Sequence, residues 1–228
     1  MKLLTLRKLH KWVALFVGIQ LLLWTVSGAT FAWLDHHQVQ GEHLAADSPV
    51  RRLQPAEPLA EPATWVDSLP TTRIRELSVV SLDGTWLYRI EHDRGVELRR
   101  AGDGARVDVD ESTVRRLAVQ RYQGDGRLSR LVFHPDSTLE SRELGATWQA
   151  SFDDESGTSL YFSATDGALV ATRTDAWRVF DFFWMLHTMD YQGRDDFNHP
   201  LVVLAASAAL WVALTGLYLM ARVYRWLG

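Results

Sequence analysis

The chain of 228 residues contains no cysteine. That absence excludes disulfides, cysteine-ligated iron–sulfur clusters, zinc ribbons and the C-x-x-C-H attachment of c-type haem. Any cofactor must be held by His, Met, carboxylates or packing. Lysine is confined to Lys2, Lys8 and Lys11, and no Asp or Glu precedes Asp35 or follows Asp196. Nothing resembles a nucleotide loop, a nucleophile with its base, or a paired-carboxylate hydrolase site. Catalysis in the water-facing part therefore has no candidate residues.

What the ends do contain is apolar. Residues 12–34 and 201–220 form two runs, each with about the 20 apolar residues a helix needs to cross a hydrocarbon core. Outside them stand Lys2, Arg7, Lys8 and Lys11 at one end and Arg222 and Arg225 at the other. The positive-inside rule then puts both termini in the cytoplasm and the middle outside it. A cleaved signal peptide is the competing reading of the first run, since Ser27, Gly28 and Ala29 are small. The run is too long for an h-region, and it carries Trp12, Trp24 and Trp33. Two retained spans fit better.

The middle holds all 28 acidic residues against fewer arginines, so nucleic acid and anionic lipid surfaces are disfavoured partners. Its length suits one domain of ordinary size. The stretch 38–62, with Pro49, Pro55, Pro58 and Pro62, reads as a linker, and 63–69 as a short helix. Strands follow at 77–82, 86–92, 95–100 and 106–109, with turn residues Asp83-Gly84 and Gly102 to Gly104 between them. Asp110 caps a helix over 111–122. Strands are expected again at 128–134, 147–153, 159–164 and 168–172. This helix-then-strands pattern, met twice, predicts two similar α+β units. The expected division is 1–37, first transmembrane helix; 38–175, α+β domain; 176–199, amphipathic helix and loop; 200–228, second transmembrane helix.

The stretch after Thr174 carries Trp177, Phe180, Phe183, Trp184 and His187, an aromatic density suited to a helix at the outer membrane interface. The loop from Tyr191 to Asp196, with Arg194 beside carboxylates, would order that helix. Asn198 and Pro200 read as N-cap and first-turn proline of the second span. Ala205, Ala209, Ala213 and Gly216 form a small-residue seam in it, matched by Ala14 and Gly18 in the first span. Gln20 reads as a helix–helix hydrogen-bonding group.

Eight histidines are present. His10 lies at the cytoplasmic edge, while His36, His37, His187 and His199 gather at the opposite edge. His10 and His36 are roughly 39 Å apart along a straight helix, so they mark two sites. Such imidazoles suit axial ligation of b-type haem, which needs no covalent attachment. They also suit hydrogen bonding at the lipid interface. A metal site from His36 or His37, His187, His199 and Asp190 or Asp195 is a third reading. With one His at the cytoplasmic edge, a bis-imidazole haem there needs a second copy, His10 meeting His10 near a two-fold axis.

Arg7-Lys8-Leu9-His10-Lys11-Trp12, Gly18 and the turn Thr25-Val26-Ser27-Gly28 resemble the first span of PepSY-associated transmembrane proteins. Trp184-Met185-Leu186-His187 and Leu214-Thr215-Gly216-Leu217-Tyr218 look like the end of the same family. The resemblance implies an α+β PepSY domain in the periplasm, a bacterial inner-membrane location and, by similarity to the family's ferrisiderophore reductases, haem b held by His10 and His187. It departs from those reductases in having two spans where they have four, which a homodimer would restore. The implied function is electron transfer across the membrane to a periplasmic acceptor such as a ferric siderophore, as a haem-dependent reductase or electron-transfer subunit. The alternatives are a non-enzymatic membrane-anchored PepSY binding or regulatory module, and an accessory subunit of a larger redox complex.

Overall fold

The computed structural model describes residues 3–46, 59–69 and 73–227. Lys2, Pro49, Pro55, Pro58 and Pro70 lie outside the described residues. The chain divides into two compact units: the residues up to His36 together with those from Ala176 onward, and His37–Asp175. Its architecture is α+β, with apolar helices at both ends of a region of antiparallel sheets. Helix α1 (Leu3–Trp33) is followed by the short α2 (His36–Gln40).

The second unit carries two four-stranded antiparallel sheets, each a meander in chain order. The first contains β1 (Ile74–Leu82), β2 (Thr85–His92), β3 (Gly95–Arg100) and β4 (Arg106–Val107). Asp83 and Gly84 both take positive φ, 49° and 77°, the two-residue turn whose twist matches the strands it joins. Strand β4 stops two residues earlier than expected, because Val109 turns into the core before the helix cap. Helix α3 (Glu111–Arg121) is capped by Asp110, whose carboxylate accepts from Thr113 N–H at 2.8 Å. The second sheet contains β5 (Leu128–His134), β6 (Thr147–Phe152), β7 (Ser159–Ser163) and β8 (Leu169–Arg173). Val114, Leu117 and Ala118 recur on one face of α3 and pack with Leu87 and Leu98 of the first sheet and Ala150, Phe152, Leu160 and Phe162 of the second. One core thus joins both sheets.

The short helix expected over 63–69 is instead a pair of 3-10 turns, Pro62–Thr64 and Val66–Ser68. Trp65 between them must enter the outer face of the first sheet, against Tyr88, Ile90 and Ala101, and a continuous helix would not turn it there. The Arg99 guanidinium lies 5.4 Å over the Trp65 ring. Gly104, at φ +72°, passes so close that a Cβ would collide with the indole. Gly104→Ala should therefore cost about 3 kcal/mol from backbone strain and overpacking, read as a lowered thermal midpoint.

In the first unit, α4 (Asp175–Thr188) and α5 (Pro200–Leu227) accompany α1. Helix α4 packs along the last turns of α1: Phe180 meets Phe31 at 4.9 Å, and His187 meets Trp24 and Ser27 further down. The contacts step in opposite directions along the two helices, so α4 runs antiparallel to α1. Leu3–Trp33 and Pro200–Tyr224 are each long and apolar enough to span a membrane. Leu15, Phe16, Ile19, Leu204, Leu210 and Leu217 are exposed, which is the surface that lipid covers.

The α1–α5 seam differs from the expected one. Ala205, Ala209, Val212 and Gly216 are partly covered while Ala213 is exposed. A step of four residues rotates about 40° beyond a full turn, so Ala213 has drifted off the line and Val212 replaces it. Gly18 is exposed, with nothing within 4 Å of where its Cβ would stand. Helix α5 begins at Pro200 with His199 before it, and His199 Nδ1 accepts from Leu201 N–H at 3.4 Å. His199, rather than Asn198, holds the capping position.

Candidate functional site

Two histidines of the first unit sit in nearly the same surroundings. His10 Nδ1 lies 2.7 Å from Thr215 Oγ1 of α5, and the Trp211 ring stands 6.3 Å from the imidazole at 40°. His187 Nδ1 lies 2.8 Å from Ser27 Oγ of α1, and the Trp24 ring stands 6.3 Å from the imidazole at 44°. In each case the Trp precedes the hydroxyl residue by one helical turn on the same helix, so both reach one side of it. Phe31 closes the second constellation edge-on at 5.5 Å, and Trp24 Nε1–H donates to the His187 carbonyl at 2.8 Å.

Both rings are held through Nδ1, and Nε2 of each makes no hydrogen bond among the described residues. A Cβ on Gly216 would stand 3.4 Å from His10 Cε1 and 3.9 Å from Nε2. Helix α5 thus passes close to the Cε1–Nε2 edge of His10 with no side chain at 216. His10 and Ser27 are separated on α1 by about 25 Å of helical rise. The two constellations therefore occupy opposite ends of the α1 span. An imidazole with an oriented Nδ1 and an open Nε2 is the donor arrangement that metal-binding histidines use.

The other expected histidines are not brought to these places. His37 belongs to the second unit, where its Nδ1 lies 2.9 Å from Glu42 Oε2 with both side chains largely exposed. His36 is exposed at the start of α2. His199 caps α5. Among the described residues no three His, Asp or Glu side chains come together as a metal cluster, so the site imagined from His36 or His37, His187, His199 and Asp190 or Asp195 is not assembled. Gln20, expected to bond between helices, leaves its buried Nε2 without a partner among the described residues. By the pairing of His10 with Thr215, the matching depth on α5 carries Ala205, which has no side-chain acceptor.

The loop between α4 and α5 is organised by a residue that sequence reading gave only to a metal site. Asp190 is buried, and its carboxylate accepts from the N–H groups of Gln192, Gly193, Asp195 and Asp196 at 3.1–3.2 Å. Burial pushes its pKa up, but those backbone donors outweigh it and hold the carboxyl down to about 2. Arg194 pairs with the buried Asp181 of α4, and Trp184 Nε1–H donates to the Arg194 carbonyl at 3.0 Å. The loop is thereby fastened to the helix that carries His187, as its mixed charges suggest. Ser27 stood in the sequence within the turn Thr25-Val26-Ser27-Gly28, and Thr215 within the family-like segment Leu214-Thr215-Gly216-Leu217-Tyr218. Their roles were not legible there, since a hydroxyl acquires a partner only when helices pack.

Neither a curated protein nor a solved structure matches the chain. A family model does, the PepSY-associated TM region, over residues 7–227. That match takes in both spans and everything between them, and with the apolar helices at its ends it makes this chain a membrane protein belonging to the PepSY-associated transmembrane family.

Proposed function

We propose that this chain is an inner-membrane b-type haem protein that passes electrons across the membrane to a periplasmic acceptor such as a ferric chelate. The observation that carries the reading is the pair of matching constellations at opposite ends of α1, each offering an unbonded Nε2. His10 and His187 would be the ligands. Haem held in this way supplies one-electron chemistry. Trp211 packs beside His10, and Trp24 with Phe31 beside His187, so both sites have apolar walls. Gly216 puts no side chain against the Cε1–Nε2 edge of His10. A second copy of the chain would give the other imidazole at each depth and restore four spans. The basic residues outside the spans support a topology with both termini in the cytoplasm and His37–Asp175 in the periplasm.

A reduced-minus-oxidised visible spectrum of the detergent-purified protein, with haem quantified per chain, tests this reading. Sharp α and Soret bands at a fixed stoichiometry are expected. Protein expressed with ample haem that shows no bands would favour the second reading, a membrane-anchored binding module. That reading has its own observation. A cleft of about 320 Å³ in His37–Asp175 is lined by Leu98, Val107, Val109, Phe133 and Trp148, between the edge strand β4 and the second sheet.

A further inference from the structure

The hydroxyls that touch the two imidazoles have one proton each, and both are already committed. Ser27 Oγ lies 2.8 Å from the Leu23 carbonyl and 3.1 Å from that of Trp24. Thr215 Oγ1 lies 2.8 Å from the Trp211 carbonyl and 3.2 Å from that of Val212. A carbonyl only accepts, so each hydroxyl donates back into its own helix. Towards the imidazole it can then only accept. With each hydroxyl proton given to its helix, the contacts at 2.8 and 2.7 Å are hydrogen bonds only where the ring proton is on Nδ1. Which nitrogen of an imidazole is free is decided by the bond the other makes.

We propose that Ser27 and Thr215 are positioning residues that lock His187 and His10 in the Nδ1–H tautomer and so present both Nε2 lone pairs as ligands. The geometry favours this over the reverse arrangement. With the proton on Nε2, each hydroxyl would have to abandon its helix carbonyl to serve Nδ1. An Nε2–H donor would also be left in apolar surroundings with no acceptor among the described residues, at a desolvation cost. The same logic at both depths explains why a Ser or Thr stands one turn after each Trp. The acceptor is a neutral hydroxyl rather than a carboxylate, so the lock selects a tautomer without adding charge inside the membrane. The inference takes its ligand from the haem reading, but the tautomer belongs to the cofactor-free chain as well.

The test uses full-length protein with ¹⁵N-labelled histidine, reconstituted in bilayers without haem, because the ring nitrogen shifts distinguish N–H from bare nitrogen. His10→Gln and His187→Gln proteins assign the two signals. Both histidines are expected to show a protonated Nδ1 and a bare Nε2. Ser27→Ala should convert the His187 signal to a mixture and leave His10 unchanged, and Thr215→Ala should do the reverse. Ser27→Thr and Thr215→Ser should restore the locked pattern. In haem-loaded protein each alanine variant should bind roughly tenfold or more weakly at its own site. Tautomers unaltered by both alanine substitutions would overturn the lock, even if haem binds. Tautomers that shift as described in a wild-type protein that takes up no haem would uphold the lock and sink the haem reading.

Discussion

On the haem reading proposed for this chain, His187→Ala protein should lose haem at the Ser27 end of α1 and keep it at the His10 end, and His10→Ala protein should do the opposite. The two imidazoles are separated by about 25 Å of helix and share no partner, since Thr215 and Trp211 serve one and Ser27, Trp24 and Phe31 the other. Effects at such separated sites add. Haem per chain should thus fall to about half in each single variant and to the background level in the double variant. Removing a ligand that nothing nearby can replace is the largest change a single side chain can make to cofactor content. His37→Ala and His199→Ala are the matched comparisons, because one imidazole faces Glu42 and the other caps α5. Their haem content should equal that of the parent. Pyridine haemochrome analysis reads all of these, and a His187→Ala protein with undiminished haem would remove His187 from the ligand set.

Asp190→Ala should be the most damaging substitution in the α4–α5 loop. It takes the acceptor away from four backbone N–H groups at once, and each such group left unsatisfied costs about 1–3 kcal/mol where water cannot replace the partner. Some of the loop is exposed, so a total of roughly 3 kcal/mol is expected. The amides of 192–196 should exchange with deuterium much faster in the variant. The acid limb has a definite sign. The folded carboxyl is held down to about 2, below its ordinary 3.8, so ionised Asp190 stabilises the folded loop. Its contribution is complete above that ordinary value and fades as pH falls toward 2. Asp190→Asn cannot titrate and should show no such fade. Loop exchange rates in this variant that still rise on acidification would assign the acid limb to another group.

Much of the fold could be read along the chain because the signals are local. Alternation and turn residues marked every strand within a few residues, and Asp83-Gly84 announced its turn through the left-handed conformation that both residues take. Asp110 announced α3 in the same way. Failures came where a residue's role depends on what is packed against it. The 62–68 segment is bent into two turns by the demand that Trp65 be buried. Ala213 faces outward because helical rotation carries it off the seam.

The candidate site divides along the same line. Membrane spans, the absence of any cysteine ligand and the placing of histidines at two depths follow from the amino-acid sequence alone, since apolar length, residue chemistry and helical rise need no partner to operate. Five histidines were candidates on that basis, and adjacent residues such as His36 and His37 had no means of being ranked. The family resemblance singled out His10 and His187, and the tertiary structure gives those two matching surroundings, by bringing Thr215 against His10 and Ser27 against His187 across 205 and 160 residues of chain. It also turned Asp190 from a suggested metal ligand into the acceptor at the centre of a loop. Hydrogen bonds between distant residues are made by folding, and the proton positions they impose are the part of this protein that no local pattern records.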